Sequence, residues 1–306
     1  MREVQLPSND GVHQLHVAVW EPSTEVKAVL QISHGMVEFI ERYDGFAKFL
    51  NEKGVLVIGN DHLGHGHTAG CEEDLGYFCK ENKSATVVKD LHTVTEFAKK
   101  EYPNVPYFLF GHSMGSFMAR RYLMTYGTEL TGAVICGTGK QAALILTAGK
   151  LVCAVLKLFK GERYRSDFIN QASFGTYNER FKPIRTKNDW LTKDTEIVDW
   201  YNQHKFCTFN FTINGYQTLF EVLTFIQKKE NVEKIPKSLP IYMIAGEEDP
   251  VGDYGTGVRN IYEIYKASGI QDISLKLYPT DRHEILNETD KETVYQDVWN
   301  WLAPRL

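Results

Sequence analysis

The chain is poor in the features that mark a specialised environment. It has only five cysteines among 306 residues, Cys71, Cys79, Cys136, Cys153 and Cys207, and no pair has the spacing of a zinc finger or of a thioredoxin-type motif. The odd number argues against a complete disulfide framework, so reduced thiols in a cytoplasmic protein are the expectation. An excess of positive charge is also lacking: 34 lysines and arginines stand against 39 acids, a net charge of -5. The basic residues are spread along the chain, which excludes a basic face attracting nucleic acid or anionic lipid by bulk electrostatics. The opening residues, MREVQLPSNDGVHQLHV, contain no apolar leader and pass directly into strand-like alternation, so nothing suggests export. The one long apolar run, 142–159, is broken by Lys150 and Lys157 and falls short of a membrane span, so it is expected to be an amphipathic or buried helix. Internal repeats, low-complexity tracts and long linkers are absent.

What is present is enough apolar material for a sizeable core, 43% of all residues, and an alternation of strand and helix signals. Residues 2–8 and 13–20 read as strands joined at Asn9-Asp10-Gly11, an antiparallel edge ribbon. Strands are expected at 28–33, 55–59, 106–110 and 133–136, with helices at 43–52, 85–100 and after the fifth strand. From 138 to 237 the alternation stops, and the segment is helix-like and rich in aromatics. It resumes with strands at 240–245 and 273–277 and helices at 257–267 and 291–302. The fold class is therefore α/β: a mostly parallel central sheet flanked by helices. Its core is formed by 1–137 and 238–306, with a helical cap inserted at 138–237.

The chemistry centres on Gly111-His112-Ser113-Met114-Gly115, between the fifth strand and its helix. A G-x-S-x-G turn of this kind holds its serine in a strained conformation, and the flanking glycines remove side chains that would collide there. Ser113 is the candidate nucleophile. A serine hydroxyl needs an imidazole to take its proton and an acid to orient that imidazole. In open α/β sheets the partners should follow later strands. Asp249 in Gly246-Glu247-Glu248-Asp249-Pro250 and His283 after the last strand satisfy this; Glu247, Glu248 and Asp253 are rival acids. The loop His62-Leu63-Gly64-His65-Gly66-His67 suggests a metal, but it carries no accompanying carboxylate or cysteine arrangement of a familiar zinc type. A structural role near the site entrance is expected, and no metal or cofactor is assigned.

Five stretches together resemble the α/β-hydrolases of the monoacylglycerol lipase and lysophospholipase group: His34-Gly35-Met36-Val37-Glu38, Asp61-His62-Leu63-Gly64-His65-Gly66, Gly111 to Gly115, Glu248-Asp249-Pro250-Val251, and Arg282-His283-Glu284. The order Ser113, Asp249, His283 is that of this fold. The resemblance covers nearly the whole core. It implies a catalytic triad of these three residues, with an oxyanion hole made by the backbone N–H groups of Met36 and Met114. His34 and Glu38 are expected to hold the oxyanion turn, and Asp61 to hydrogen-bond within its own loop. Two departures from the group stand out: Ser116 where glycine is common, and Met36-Val37 in place of smaller residues, which alters the alcohol pocket.

The implied reaction is acyl transfer from a lipid-like ester, a monoacylglycerol or lysophospholipid, to water. The alternatives are a short-chain carboxylesterase, a peptidase of the proline iminopeptidase type and a non-enzymatic receptor. A peptidase needs a carboxylate for the substrate amine, and none is identifiable among the many acids of the cap. A receptor would usually lack a triad member, and none is missing. An imidazole must be neutral to act as a base, so activity is expected to fall at acid pH, below about 6–7. The apolar helix at 142–159 either roofs an acyl tunnel or forms the cap's own core, and the cap is a candidate for transient contact with a membrane surface. The sequence assigns no oligomeric state.

Overall fold

A computed structural model describes residues 1–81 and 83–306. Eight strands form one sheet: β1 (Arg2–Pro7), β2 (Gln14–Trp20), β3 (Ala28–Ser33), β4 (Val55–Asn60), β5 (Tyr107–His112), β6 (Gly132–Cys136), β7 (Ile241–Gly246) and β8 (Ile273–Tyr278). Their order is β1-β2-β4-β3-β5-β6-β7-β8. The β1/β2 hairpin and the β2/β4 pair are antiparallel, and every pairing from β4 through β3 to β8 is parallel. The α/β expectation therefore holds, with the antiparallel ribbon at the edge. Strands β3 to β7 are buried along their whole length. That is why they read as continuous apolar runs rather than as alternating ones.

Among the described residues ten α-helices follow in chain order: α1 (Asp44–Asn51), α2 (Lys83–Glu101), α3 (Met114–Tyr126), α4 (Ala143–Lys160), α5 (Asp167–Phe174), α6 (Thr195–Gln203), α7 (Ile213–Ile226), α8 (Lys229–Val232), α9 (Thr256–Ala267) and α10 (Lys291–Leu302). Successive strand residues point to opposite faces. On one face, Phe108, Phe110 and Val134 meet Phe46 and Leu50 of α1 and Val298 and Leu302 of α10. On the other, Leu109, Ile135 and Met243 meet Leu91 of α2, Met118 of α3, Ile261 of α9 and Val222 of α7.

Between β6 and β7 the chain leaves the sheet and forms α4 to α8. Its extended pairing among the described residues is one isolated bridge, Arg165 to Thr212. Of the two expectations for the run 142–159, an amphipathic or a buried helix, α4 takes the first, with an outward face that is itself apolar. Leu146 and Cys153 face inward, but Leu144, Ile145, Leu151, Val155, Leu158 and Phe159 are 48–81% exposed. Among the described residues no helix is long and apolar enough to cross a membrane.

Candidate active site

All the candidate residues lie beyond the carboxyl ends of the parallel strands. β5 ends at the elbow, where Ser113 has φ 54 and ψ -123, a conformation most side chains avoid. The glycines around it are sterically required. A Cβ on Gly111 would approach Ala119 Cβ and the Gly115 carbonyl oxygen, each to 2.6 Å, and one on Gly115 would run into the backbone carbonyls of Ser33 and His34 at the end of β3. With no side chain in the way, α3 passes close to β3, and Ser113 projects from the apex.

β7 and β8 deliver the other two groups on loops that touch. Glu247 N–H donates to Tyr278 O at 2.8 Å and Glu248 N–H to Asp281 O at 2.9 Å. A Cβ on Gly246 would collide with Asp281 O and Arg282 O. In this arrangement the His283 Nδ1–H donates to Asp249 Oδ2 at 2.9 Å, which leaves Nε2 to accept from the Ser113 hydroxyl at 2.8 Å. Asp249 is fully buried, and its Oδ1 accepts the Val251 N–H at 2.8 Å. Of the rival acids, Glu247 pairs with Arg259 at 2.5 Å on the surface, and neither Glu248 nor Asp253 is bonded to His283. Trp190 closes one side of the base, with ring centroids 5.0 Å apart, and its carbonyl accepts the His283 N–H at 3.4 Å.

The two expected oxyanion donors come from different elements. Met114 is the first residue of α3, so its N–H has no partner within the helix. Met36 lies in the turn after β3, and neither N–H has an acceptor among the described residues. Glu38 grips this turn from within: its Oε1 accepts the Gly35 N–H at 2.5 Å and the Tyr43 hydroxyl at 3.0 Å. Val37 has φ 57, a left-handed conformation costly for a β-branched residue. Its carbonyl is held by the Tyr201 hydroxyl of α6 at 2.8 Å.

A buried ionic network lies under these loops, and the sequence did not reveal it. Arg42 makes two bonds to Glu284, both 2.7 Å, and one to Glu38 at 2.9 Å, with only 4% of its side chain exposed. Burial alone would raise both carboxyls. The His112 hydrogen bond and Arg42 outweigh burial at Glu38, and Arg42 does so at Glu284, so both are held below the usual carboxylate range. His112 faces Glu38 Oε1 through Nδ1 and the His283 carbonyl through Nε2, each at 3.2 Å. Both partners are acceptors, so both ring nitrogens must donate, which makes His112 an imidazolium. Burial lowers its pKa, but the hydrogen bond and charge of Glu38, with the charge of Glu284, together raise it by more. The only sequence signals were Glu38 and Arg42 at helical i, i+4 spacing and the position of His112 inside the elbow.

The histidine-rich loop divides. His34 Nε2 accepts the His62 N–H at 2.9 Å, and His65 turns its ring toward Phe78, Phe209 and Phe211. Burial pushes the His65 imidazole down to about 3, so it stays neutral. Asp61 accepts the Ile40 N–H through Oδ1 at 2.8 Å and the His67 N–H through Oδ2 at 2.7 Å.

With this geometry in view, residues 24–290 match the Hydrolase_4 family, described as serine aminopeptidase, S33. The chain belongs to that family. It is an α/β-hydrolase, as its motifs implied. The hydrolase is similar to the monoglyceride lipase homolog of monkeypox virus, 38% identical over 298 residues covering 95% of each chain. Rat monoglyceride lipase is 26% identical over 306 residues, spanning 98% of this chain and 90% of its own. Among solved structures, a thermostable carboxyl esterase from Bacillus coagulans in complex with glycerol superposes with a TM-score of 0.92. It is 31% identical and covers 99% of this chain and 98% of its own.

Proposed function

We propose that the protein hydrolyses carboxylic esters of lipid type, a monoacylglycerol or lysophospholipid, through an acyl-enzyme on Ser113. The observation that carries this is the continuous hydrogen-bonded chain from Ser113 Oγ through His283 to buried Asp249. His283 takes the Ser113 proton as Oγ attacks the ester carbonyl. The N–H groups of Met36 and Met114 receive the oxyanion, and His283 then protonates the departing alcohol. Water repeats the sequence on the acyl-enzyme. Preorganised donors of this kind are each worth about 10²–10³ in rate.

Lipid is favoured over a small ester by the names of the curated relatives, monoglyceride lipases of a virus and of a mammal, and by helix α4. Its outward apolar stripe, joined by exposed Phe168 and flanked by Lys150, Lys157 and Lys160, suits transient contact between the cap and a lipid surface. The family description favours one second reading, aminopeptidase activity. Against it, the carboxylates flanking the oxyanion turn and the base, Glu38 and Glu284, are both committed to Arg42 and cannot hold a substrate amine. Five free cysteines, four of them buried, support a reducing, cytoplasmic setting.

The test is a hydrolysis panel: p-nitrophenyl esters from about two to sixteen carbons, monoacylglycerol, lysophosphatidylcholine and aminoacyl amides, run with and without anionic vesicles. Long-chain esters should be preferred, and Ser113→Ala should abolish both turnover and fluorophosphonate labelling. A preference for the shortest esters or for aminoacyl amides sinks the lipid reading.

A further inference from the structure

The sequence offered a loop rich in histidine with one adjacent carboxylate, Asp61. The fold supplies a second carboxylate and a further imidazole. His16 on β2, Glu41 in the turn Ile40–Tyr43 and Asp61 after β4 each place a ligand-type atom within 4.8 Å of the others. His67 completes the group from the same loop as Asp61, its Nε2 3.8 Å from Glu41 Oε1 and its ring centroid 4.9 Å from that of His16. We propose that His16, Glu41, Asp61 and His67 form a binding site for one divalent transition-metal ion, with zinc the best match to two imidazoles and two carboxylates.

Three observations support this. First, Glu41 Oε2 is buried with no hydrogen-bond partner among the described residues, whereas its Oε1 faces His16 Nε2 at 2.9 Å. An unpaired buried carboxylate oxygen is costly and calls for a cation. Secondly, among the described residues neither acid has a lysine or arginine within ion-pair distance; the neighbours at that distance are the imidazoles of His16 and His67 for Glu41 and of His34 for Asp61. Two carboxylates and two neutral imidazoles around a doubly charged ion sum to zero. Thirdly, the distances suit the exchange. Bonds of about 2.0–2.2 Å to nitrogen and oxygen put tetrahedral ligand atoms roughly 3.3–3.6 Å apart. The His16–Glu41 contact at 2.9 Å must open slightly and the His67–Glu41 contact at 3.8 Å contract, with the ion replacing the proton that His16 shares with Glu41.

The ligand shell is partly built already. Each Asp61 oxygen accepts one backbone N–H and keeps a lone pair, and the His16 N–H is fixed by Thr68 Oγ1 at 2.8 Å. Half-exposed His67 gives the ion a way in. It lines a cavity of about 520 Å³ that also borders Leu75, Arg165 and Phe206. The site does not include Ser113. It joins β2, the turn following the oxyanion loop and the segment after β4, so the ion is a brace and takes no part in acyl transfer.

The test is calorimetric titration of the chelator-treated full chain with zinc chloride, with X-ray absorption on the loaded protein. The expected result is one equivalent bound at about micromolar affinity or tighter, a rise in thermal midpoint, and nitrogen and oxygen ligands only. Glu41→Gln and His67→Gln, both at partly exposed positions, should each weaken binding at least about tenfold, while Cys71→Ser should leave it unchanged. Absence of binding, equal affinity in the ligand variants, or sulfur in the absorption spectrum would overturn the proposal. If a variant fails to fold, the ligand set read from the absorption spectrum of the unaltered chain decides.

Discussion

Replacing Arg42 by methionine is the sharpest probe of the network under the active site. The substitution keeps most of the side chain's length and removes three charge-assisted hydrogen bonds, leaving Glu38 and Glu284 buried without their cation. Breaking a buried ion pair from one side costs about 3–5 kcal/mol, which at roughly 2–3 °C per kcal/mol is a fall of about 6–15 °C in thermal midpoint. The pH dependence is more discriminating. In the unaltered chain both carboxyls are held below their ordinary range. Their stabilisation is therefore present above the unfolded-state pKa and lost as pH falls through the folded one. Without Arg42, burial dominates at Glu284, its folded pKa moves above the unfolded value, and stability is lost as pH rises instead. The stability gap between the two proteins should thus widen from pH 5 to pH 8, read by urea unfolding with tryptophan fluorescence. Adding Glu284→Gln should recover at least about 1 kcal/mol at the higher pH by removing a stranded charge. A gap that stays constant or narrows toward pH 8 refutes the reasoning.

Asp249→Asn should leave the fold intact and lower kcat by about 10⁴, because the amide no longer selects the imidazole tautomer with its lone pair toward Ser113; a loss below tenfold would show that another acid serves. His112→Gln tests the imidazolium. Because the folded pKa of His112 is raised, its contribution to stability is full below about 6.5 and is lost as pH rises through the folded value. The stability difference between wild type and variant should therefore shrink between pH 6.5 and 9, and a difference independent of pH counts against a charged ring. Gly115→Ala forces a methyl into two backbone carbonyls and should cost about 3 kcal/mol or more by urea midpoint. Gly70→Ala, whose Cβ meets nothing within 4 Å but whose φ is +76, should cost only about 1–2 kcal/mol.

Much of the fold was legible because the strands announce themselves. Buried parallel strands such as 28–33 and 55–60 are short apolar runs, each stopped by residues that cannot continue them, and the helices 256–267 and 291–302 carry clear periodicity. Ser113, Asp249 and His283 could be picked out because chemistry at a sheet's carboxyl edge sits just after a strand. What the sequence hid depends on long-range closure. Arg42 and Glu284 are 242 residues apart, and either reads alone as a surface charge. The carboxylate Glu41 and the imidazole of His16 are separated from the Asp61–His67 loop in the same way. Helix α4 was legible only in part for another reason: periodicity identifies an apolar stripe but not the side from which it will be covered.

The bonds linking the insertion to the core fall in two groups. Glu162, Arg163, Arg165, Thr212, Asn214 and Glu221 bond to the segment 72–84 and to Arg121. Residues 189–201 are stitched to the loops around Ser113: Arg282 donates to Asp189 O and Thr192 O, Glu284 N–H to Leu191 O, and Tyr201 to Val37 O. Helix α4 is secured by packing on α7 and by polar ties within the insertion, from Lys150 to Thr224 and from Lys157 to Glu162. Helix α4 itself makes no hydrogen bond to the core among the described residues. The stitched part cannot swing without dismantling the base and the oxyanion turn, so it behaves as a wall of the reaction chamber. Displacing α4 along α7 would cost packing contacts and two polar ties, and would leave the bonds around Ser113 and the charges beneath untouched.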